Sequence, residues 1–155
     1  MTLRLYTPLD ALALAAVYRD AVNGLGPSAY DDAQVAVWAS FAEDARAFGE
    51  ALARGLTVVS EEGGRAVAFA QLEPFDHVRF LYCAPARARR GHATALYAWL
   101  ELAARQHGEA ALTTDASRVS RPFFEAMGFE VLGSEIVERA GVELERFRMR
   151  KDLRA

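Results

Sequence analysis

Leu3 and Leu5 alternate with Arg4 and Tyr6 at the start of the chain, the period-two pattern of a short strand, and Thr7-Pro8 ends it. The period then changes. Behind Asp10, a residue suited to capping a helix, Leu12, Leu14, Ala15, Val17 and Tyr18 recur at helical spacing as far as Asn23-Gly24. Gly24 to Ser28 is rich in turn residues. A second helical region begins near Asp31 and carries Val35, Trp38 and Phe41, and a further piece with Phe48 and Leu52 runs to Gly55. The pattern fits one bent helix or two.

Leu56 to Glu61 and Ala66 to Leu72 are β-rich runs flanking Glu62-Gly63-Gly64, which predicts a hairpin that Pro74 stops. His77 to Cys83 is the next strand. A basic turn follows, then a helix starting near Ala93, with Ala95, Leu96, Trp99, Leu100, Leu102 and Ala103 at helical spacing and a stop at His107-Gly108. Ala111 to Thr114 reads as a fifth strand. A short helix starts near Ser120, because Pro122 is tolerated only in a first turn, and it ends at Met127-Gly128. Phe129 to Met149 is a long hairpin turning at Ala140-Gly141. Its apolar phase slips by one, with Val142 and Leu144 even and Phe147 and Met149 odd, which predicts a β-bulge between 144 and 147. Asp152 to Ala155 is expected to fray. With no repeat, linker or low-complexity tract, residues 1–155 read as a single domain large enough to bury a core.

The chemistry concentrates in Arg87-Ala88-Arg89-Arg90-Gly91-His92-Ala93-Thr94. A strand, a basic turn with one glycine and a helix in succession aim backbone N–H groups and the positive end of a helix dipole at one spot, where phosphate commonly binds. The turn lacks the G-K-[ST] ending of a Walker A loop and the GxGxxG dinucleotide fingerprint. On local physics it is either a phosphate-binding turn or an ordinary connection with solvated arginines.

Composition narrows the choice of partner. The net charge is −3, so a nucleic-acid groove is disfavoured and a local basic turn suits a small anion better than a polymer. Hydrophobic residues at 52% and charged residues at 25% are an ordinary globular balance. The one cysteine, Cys83, has no partner for an internal disulfide, which points to a reducing cytoplasm. It and three unspaced histidines give no metal-ligand pattern. Met1 to Tyr6 reads as a strand rather than a leader, and no apolar run is long enough to span a membrane.

The order of elements, together with particular residues, resembles the GNAT superfamily of N-acetyltransferases. Ala88-Arg89-Arg90-Gly91-His92-Ala93 lies on the family's [QR]-x-x-G-x-[GA] pyrophosphate loop, with Ala88 replacing the leading Gln or Arg and Pro85 ahead of it. Ala116-Ser117 and Arg121-Pro122-Phe123-Phe124-Glu125-Ala126-Met127-Gly128-Phe129 are similar to the family's A-[SN]…F-[YF]-E-x-x-G-F segment. Gly141-Val142 and Phe147 to Lys151 match a common closing hairpin. The resemblance implies an α+β fold: a mixed central β-sheet of about seven strands, flanked by helices, with a V-shaped splay between the fourth and fifth strands.

It also implies an enzyme that moves an acetyl group from acetyl-CoA to a primary amine of a small molecule or peptide by direct attack in a ternary complex, without a metal. Arg89, Arg90, Gly91, His92, Ala93 and Thr94 would wrap the pyrophosphate, and Arg87 or Arg89 would stand in for the contact missing at Ala88. Leu81, Tyr82 and Cys83 would offer backbone groups to the pantetheine and the thioester carbonyl, with Ser117 beside the arm. Phe124 occupies the place where many relatives carry a tyrosine that protonates the leaving thiolate. Glu73, Asp115 and His77 are the candidate bases, with Glu73 at a strand end favoured. Tyr30 and Trp38 fall in the region that forms the acceptor pocket.

Arg79 shares strand parity with Leu81 and Cys83, so it either reaches solvent, pairs with Glu73 or Asp115, or binds an anionic acceptor. Cys83 reads as a buried small hydrophobe rather than a nucleophile, and His92 as a loop side chain facing solvent. The exposed edges of the closing hairpin suit a homodimer. A non-catalytic acyl-CoA-binding or sensor module is the alternative, favoured by Phe124 and Ala88.

Overall fold

The structure is a computed structural model and describes residues 1–154. In chain order its elements are β1 (Thr2–Leu5), α1 (Ala11–Leu25), α2 (Asp32–Ala39), α3 (Ala45–Leu52), β2 (Leu56–Glu62), β3 (Arg65–Leu72), β4 (His77–Cys83), α4 (His92–Gln106), β5 (Ala111–Ala116), α5 (Arg121–Ala126), β6 (Glu130–Arg139) and β7 (Val142–Asp152). The region after Asp31 is two helices. Asp31 and Gln34 cap each other reciprocally at the start of α2, and the Asp44 carboxylate accepts from the N–H groups of Arg46 and Ala47 to start α3. Asp10 does not cap α1. It closes a short 3-10 turn, Pro8–Asp10, where its carboxylate accepts from Thr7 N at 2.9 Å and from two nitrogens of Arg4 at 2.8 Å.

The strands form one mixed sheet in the order β1-β2-β3-β4-β5-β7-β6. Every neighbouring pair is antiparallel except β4 and β5, which run parallel and pair only at His77 with Thr113 and Val78 with Thr114. Beyond those pairs the two strands splay apart. Helices cover both faces, so the central strands bury both sets of alternating side chains. On one face Val59, Phe69 and Phe80 pack with Leu14, Tyr18 and Phe48; on the other Val58, Ala70 and Leu72 pack with Leu96, Leu100, Leu112 and Met149. Burying a side chain such as Phe48 contributes ~1.5–3 kcal/mol.

Two sequence expectations about irregular strands are corrected. The closing hairpin is in continuous register from Val142 to Phe147, and its irregularity lies in β6, between Val131 and Gly133. The phase slip has another cause: Leu144 packs toward α1 and α2 while Phe147 and Met149 pack on the opposite face with α4 and α5. One regular strand exchanges its buried face halfway along. The second correction concerns Arg79. Gln71 pairs with Phe80 and Leu72 with Val78, so Arg79 is the extra residue of a bulge and the alternation inferred across β4 breaks there.

The expected fraying is also absent at Asp152 and Leu153. Asp152 completes β7, and Leu153 is buried and donates its N–H to Ala110 O at 2.9 Å; Ala155 lies outside the described residues. Among the described residues no helix is long and apolar enough to cross a membrane.

Candidate active site

Val78 and Thr114 are the last residues paired across the fork, and Arg79 and Asp115 are the first beyond it on either branch. From there the β5-facing edge of Arg79–Cys83 has no partner strand, and the opening forms a cavity of about 520 Å³. Leu81, Tyr82 and Cys83 line one branch and Asp115, Ser117 and Phe124 the other. Ala88 and Ala93 reach it from the basic turn, while Tyr18, Tyr30, Trp38 and Phe41 close it from the side of α1 and α2.

Hydrogen bonds fix this aromatic wall. Tyr18 Oη donates to Trp38 O at 2.9 Å, and Trp38 Nε1 donates to Tyr82 Oη at 3.3 Å. Burial pushes the Tyr18 and Tyr82 hydroxyls well above their ordinary range, so both stay neutral. Tyr30 Oη donates to Glu145 O and accepts from Arg118 N, both at 2.9 Å. Arg118 then pairs with the Glu145 carboxylate at 2.9 Å and lies 5.0 Å over the Tyr30 ring. The loop before α2, the loop before α5 and β7 are thereby tied together.

The polar end of the cavity is at the fork. Arg146 reaches Asp115 at 3.8 Å and Glu135 at 2.6 Å. His77 Nε2 lies 3.7 Å from Asp115 Oδ2, and its Nδ1 is 2.8 Å from Thr113 Oγ1. Burial lowers the His77 pKa below its ordinary value, with Asp115 pulling in the other direction. Arg79 rests 5.0 Å over the Phe80 ring. Glu73 is elsewhere: it sits in the β3–β4 turn, its N–H bonded to His77 O at 3.0 Å, and is not among the residues lining the cavity. Burial raises the Cys83 thiol pKa, the opposite of what a nucleophile needs.

The basic turn contains two left-handed residues, Arg89 at φ 63° and Gly91 at φ 87°, and α4 begins at His92. Alternating left-handed residues ahead of a helix turn successive N–H groups to one side, making a concave anion site. A Cβ at Gly91 would meet only Met1 Cε, at 3.8 Å, so the space over the glycine is open to a ligand.

His92 corrects the sequence reading. It is 1% exposed, with Nδ1 2.7 Å from Ser60 Oγ and Nε2 2.8 Å from Glu62 Oε2. A carboxylate only accepts, so Nε2 carries the hydrogen and, in the neutral ring, Nδ1 accepts from Ser60. Glu62 also pairs with Arg87 and Arg90, and these contacts hold its pKa below the ordinary range, the His92 hydrogen bond first among them. One carboxylate at the end of β2 thus holds three residues of the turn. Thr94 faces a shallow groove between α4 and α5, and Ser117 Oγ bonds the Ser120 hydroxyl and N–H.

The structure therefore gathers Tyr30, Trp38, Arg79, Leu81, Tyr82, Cys83, Ala93, Asp115, Ser117 and Phe124 around one cavity, with Arg89, Arg90, Gly91, His92 and Thr94 on the turn and helix beside it. Ser60, Glu62, Arg118, Glu145 and Arg146 are site residues that the sequence did not mark. They read as strand or turn polar groups, and only the tertiary contacts assign them.

The acetyltransferase (GNAT) domain family matches residues 27–153. The chain is 32% identical to the uncharacterized N-acetyltransferase YafP of Escherichia coli over 149 residues, covering 96% of this chain and 93% of that one. It superposes on a GCN5-related N-acetyltransferase from Rhodopseudomonas palustris with a TM-score of 0.95 at 34% identity, covering 98% and 95% of the two chains. The structure of yncA, a putative acetyltransferase from Salmonella typhimurium with its cofactor acetyl-CoA, shares the fold at a TM-score of 0.67 and 20% identity, covering 99% of this chain and 94% of that one. Among the described residues no group of three His, Cys, Asp or Glu side chains is placed to hold a metal. The forked sheet, the glycine turn at its mouth and these likenesses agree: the chain belongs to the GNAT acetyltransferase family.

Proposed function

We propose that the protein is a single-domain N-acetyltransferase that moves the acetyl group of acetyl-CoA to a primary amine of a small molecule or peptide, both bound at once. The observation that carries this reading is the unpaired edge of β4 opening onto a left-handed glycine turn. A free strand edge receives an amide-bearing arm such as pantetheine as it would a peptide strand. The N–H groups of Arg89 to Thr94 hold the pyrophosphate, and the fork seats the reacting end.

Acetyl-CoA supplies an activated acyl thioester. Backbone N–H groups of Leu81 to Cys83 polarise its carbonyl, and the cavity walls hold amine and acyl carbon together. Asp115, at the fork and lining the cavity, accepts a proton from the incoming ammonium. The nitrogen–carbon bond then forms as the carbon–sulfur bond breaks. The second amine proton passes to solvent or to the departing thiolate. Phe124 has no proton to give, so water serves that thiolate, whose parent thiol has an ordinary pKa of ~8.5.

Thiol release from acetyl-CoA in the presence of an amine panel tests this function. Binding without release from any amine would support a sensor module instead, the reading favoured by Phe124. Asp115→Asn should lower turnover by about 10²-fold at pH 7 and regain part of it toward pH 9, as free amine becomes plentiful. A parental pH–rate profile in that variant would remove Asp115 from the role.

A further inference from the structure

Arg79 is a half-buried cation at the fork that lines the cavity. Among the described residues no carboxylate forms an ion pair with it. The other cavity arginines are engaged: Arg146 with Glu135 and Asp115, and Arg139 with Glu138 O at 2.9 Å. A guanidinium that lines a pocket without a carboxylate partner is free to take a ligand anion in a charge-assisted pair. Asp115 offers the opposite charge one residue beyond the last pair on the facing branch. Tyr18, Trp38 and Phe41 give the wall on the side of α1 and α2 an apolar surface.

Resting on the transferase reading above, we propose that the acceptor is a small zwitterionic amine, an amino-acid-like molecule. Its carboxylate pairs with Arg79, its ammonium faces Asp115, and its apolar body lies on Tyr18, Trp38 and Phe41. The bulge in β4 serves this arrangement by taking Arg79 out of the strand's regular alternation at the apex of the fork. A peptide does not fit as well, because its free amine and free carboxylate lie at opposite ends. The cavity of about 520 Å³ must also admit the acyl arm, which limits the acceptor's size.

The test compares phenylalanine with phenethylamine, and leucine with 3-methylbutylamine, by thiol release from acetyl-CoA. The parent protein should favour each amino acid over its decarboxylated analogue by about 10- to 100-fold in kcat/KM, the range expected of a charge-assisted pair. Arg79→Gln should bring that ratio close to one while acetyl-CoA affinity, measured by calorimetry, stays parental. Arg79→Lys should keep an intermediate ratio, since it retains the charge but not the planar fork of donors, and it answers the question if the Gln variant does not fold.

A parental ratio near one overturns the proposal and leaves the transferase reading intact. So does a ratio unchanged in a folded Arg79→Gln protein, or phenylalanyl-glycine turned over as well as phenylalanine. Acetyl-CoA binding with no thiol release from any amine overturns both.

Discussion

His92 Nε2 lies 2.8 Å from Glu62 Oε2, joining the first residue of α4 to the last residue of β2. Ser60 completes the link from within the same strand, fully buried. The start of the helix at the basic turn is therefore fixed by the β2–β3 hairpin. Ser60→Ala removes the partner of His92 Nδ1 and should destabilise the fold by ~1–3 kcal/mol, the cost of a buried polar atom left unpaired. Urea denaturation checks it. Glu62→Gln still offers His92 an acceptor and removes a negative charge beside the turn, so acetyl-CoA should bind as tightly as in the parent, or more tightly at low salt.

Gly91→Asp should abolish acetyl-CoA binding while leaving the fold in place. The open space above Gly91 accommodates the side chain, and Asp is among the residues that tolerate a left-handed backbone. Its carboxylate, about 4 Å from a phosphate charge, would cost ~4 kcal/mol at an effective dielectric of ~20, a loss of about 10³ in affinity. Calorimetry showing affinity within about threefold of the parent, ~0.7 kcal/mol, would remove the pyrophosphate from this turn.

These residues show how far the sequence could be read. The glycine turn and the element order follow from local patterns, namely apolar periodicity, stop signals and a short motif within one stretch of chain, and the fork follows only from the family resemblance those patterns carry. His92 and Arg79 escaped because their environments are non-local. His92 lies in a polar turn by sequence, yet its two partners come from β2, about thirty residues earlier. Arg79 follows the alternation of its own strand, and only the pairing with β3 reveals the bulge. Glu73 reads as a candidate base because it stands at a strand end. It stands at the end away from the splay, which no period in the sequence distinguishes.

Phe124 is 3% exposed and packs edge-on against Phe123 and Phe129, with ring centroids 5.5 and 5.2 Å away. Phe124→Ala should cost ~3–5 kcal/mol of stability through the cavity it leaves. Phe124→Tyr should keep or modestly raise turnover by adding a proton donor on the branch facing Cys83. A tenfold fall in a folded Tyr variant, ~1.4 kcal/mol in barrier, would place the ring away from the leaving sulfur.

Asp10 gives the stability a dependence on acid. The paired Arg4 guanidinium holds its carboxyl below the ordinary value of 3.8 against the opposing effect of burial. The folded state therefore binds this proton less readily than the unfolded chain. The contribution is whole above the ordinary value and is lost as pH falls through the lower folded one. Asp10→Asn should cost ~1.5–3 kcal/mol at pH 7, and the gap to the parent should close as the solution is acidified below ~3.8. Urea titrations across that range measure it.

Among the described residues β7 is the last strand in the chain, yet it lies between β5 and β6. A ribosome that has finished β6 has released a chain in which β5 still shows an open edge. The hydroxyl of Tyr30 at that moment lacks Glu145 O, which arrives more than a hundred residues later. The glycine turn and the start of α4 can be in place by then, but the aromatic wall that Tyr30 ties to β7 cannot. The fork is thus walled on its β5 side only when β7 enters the middle of the sheet, and until then the incomplete chain carries an exposed strand edge.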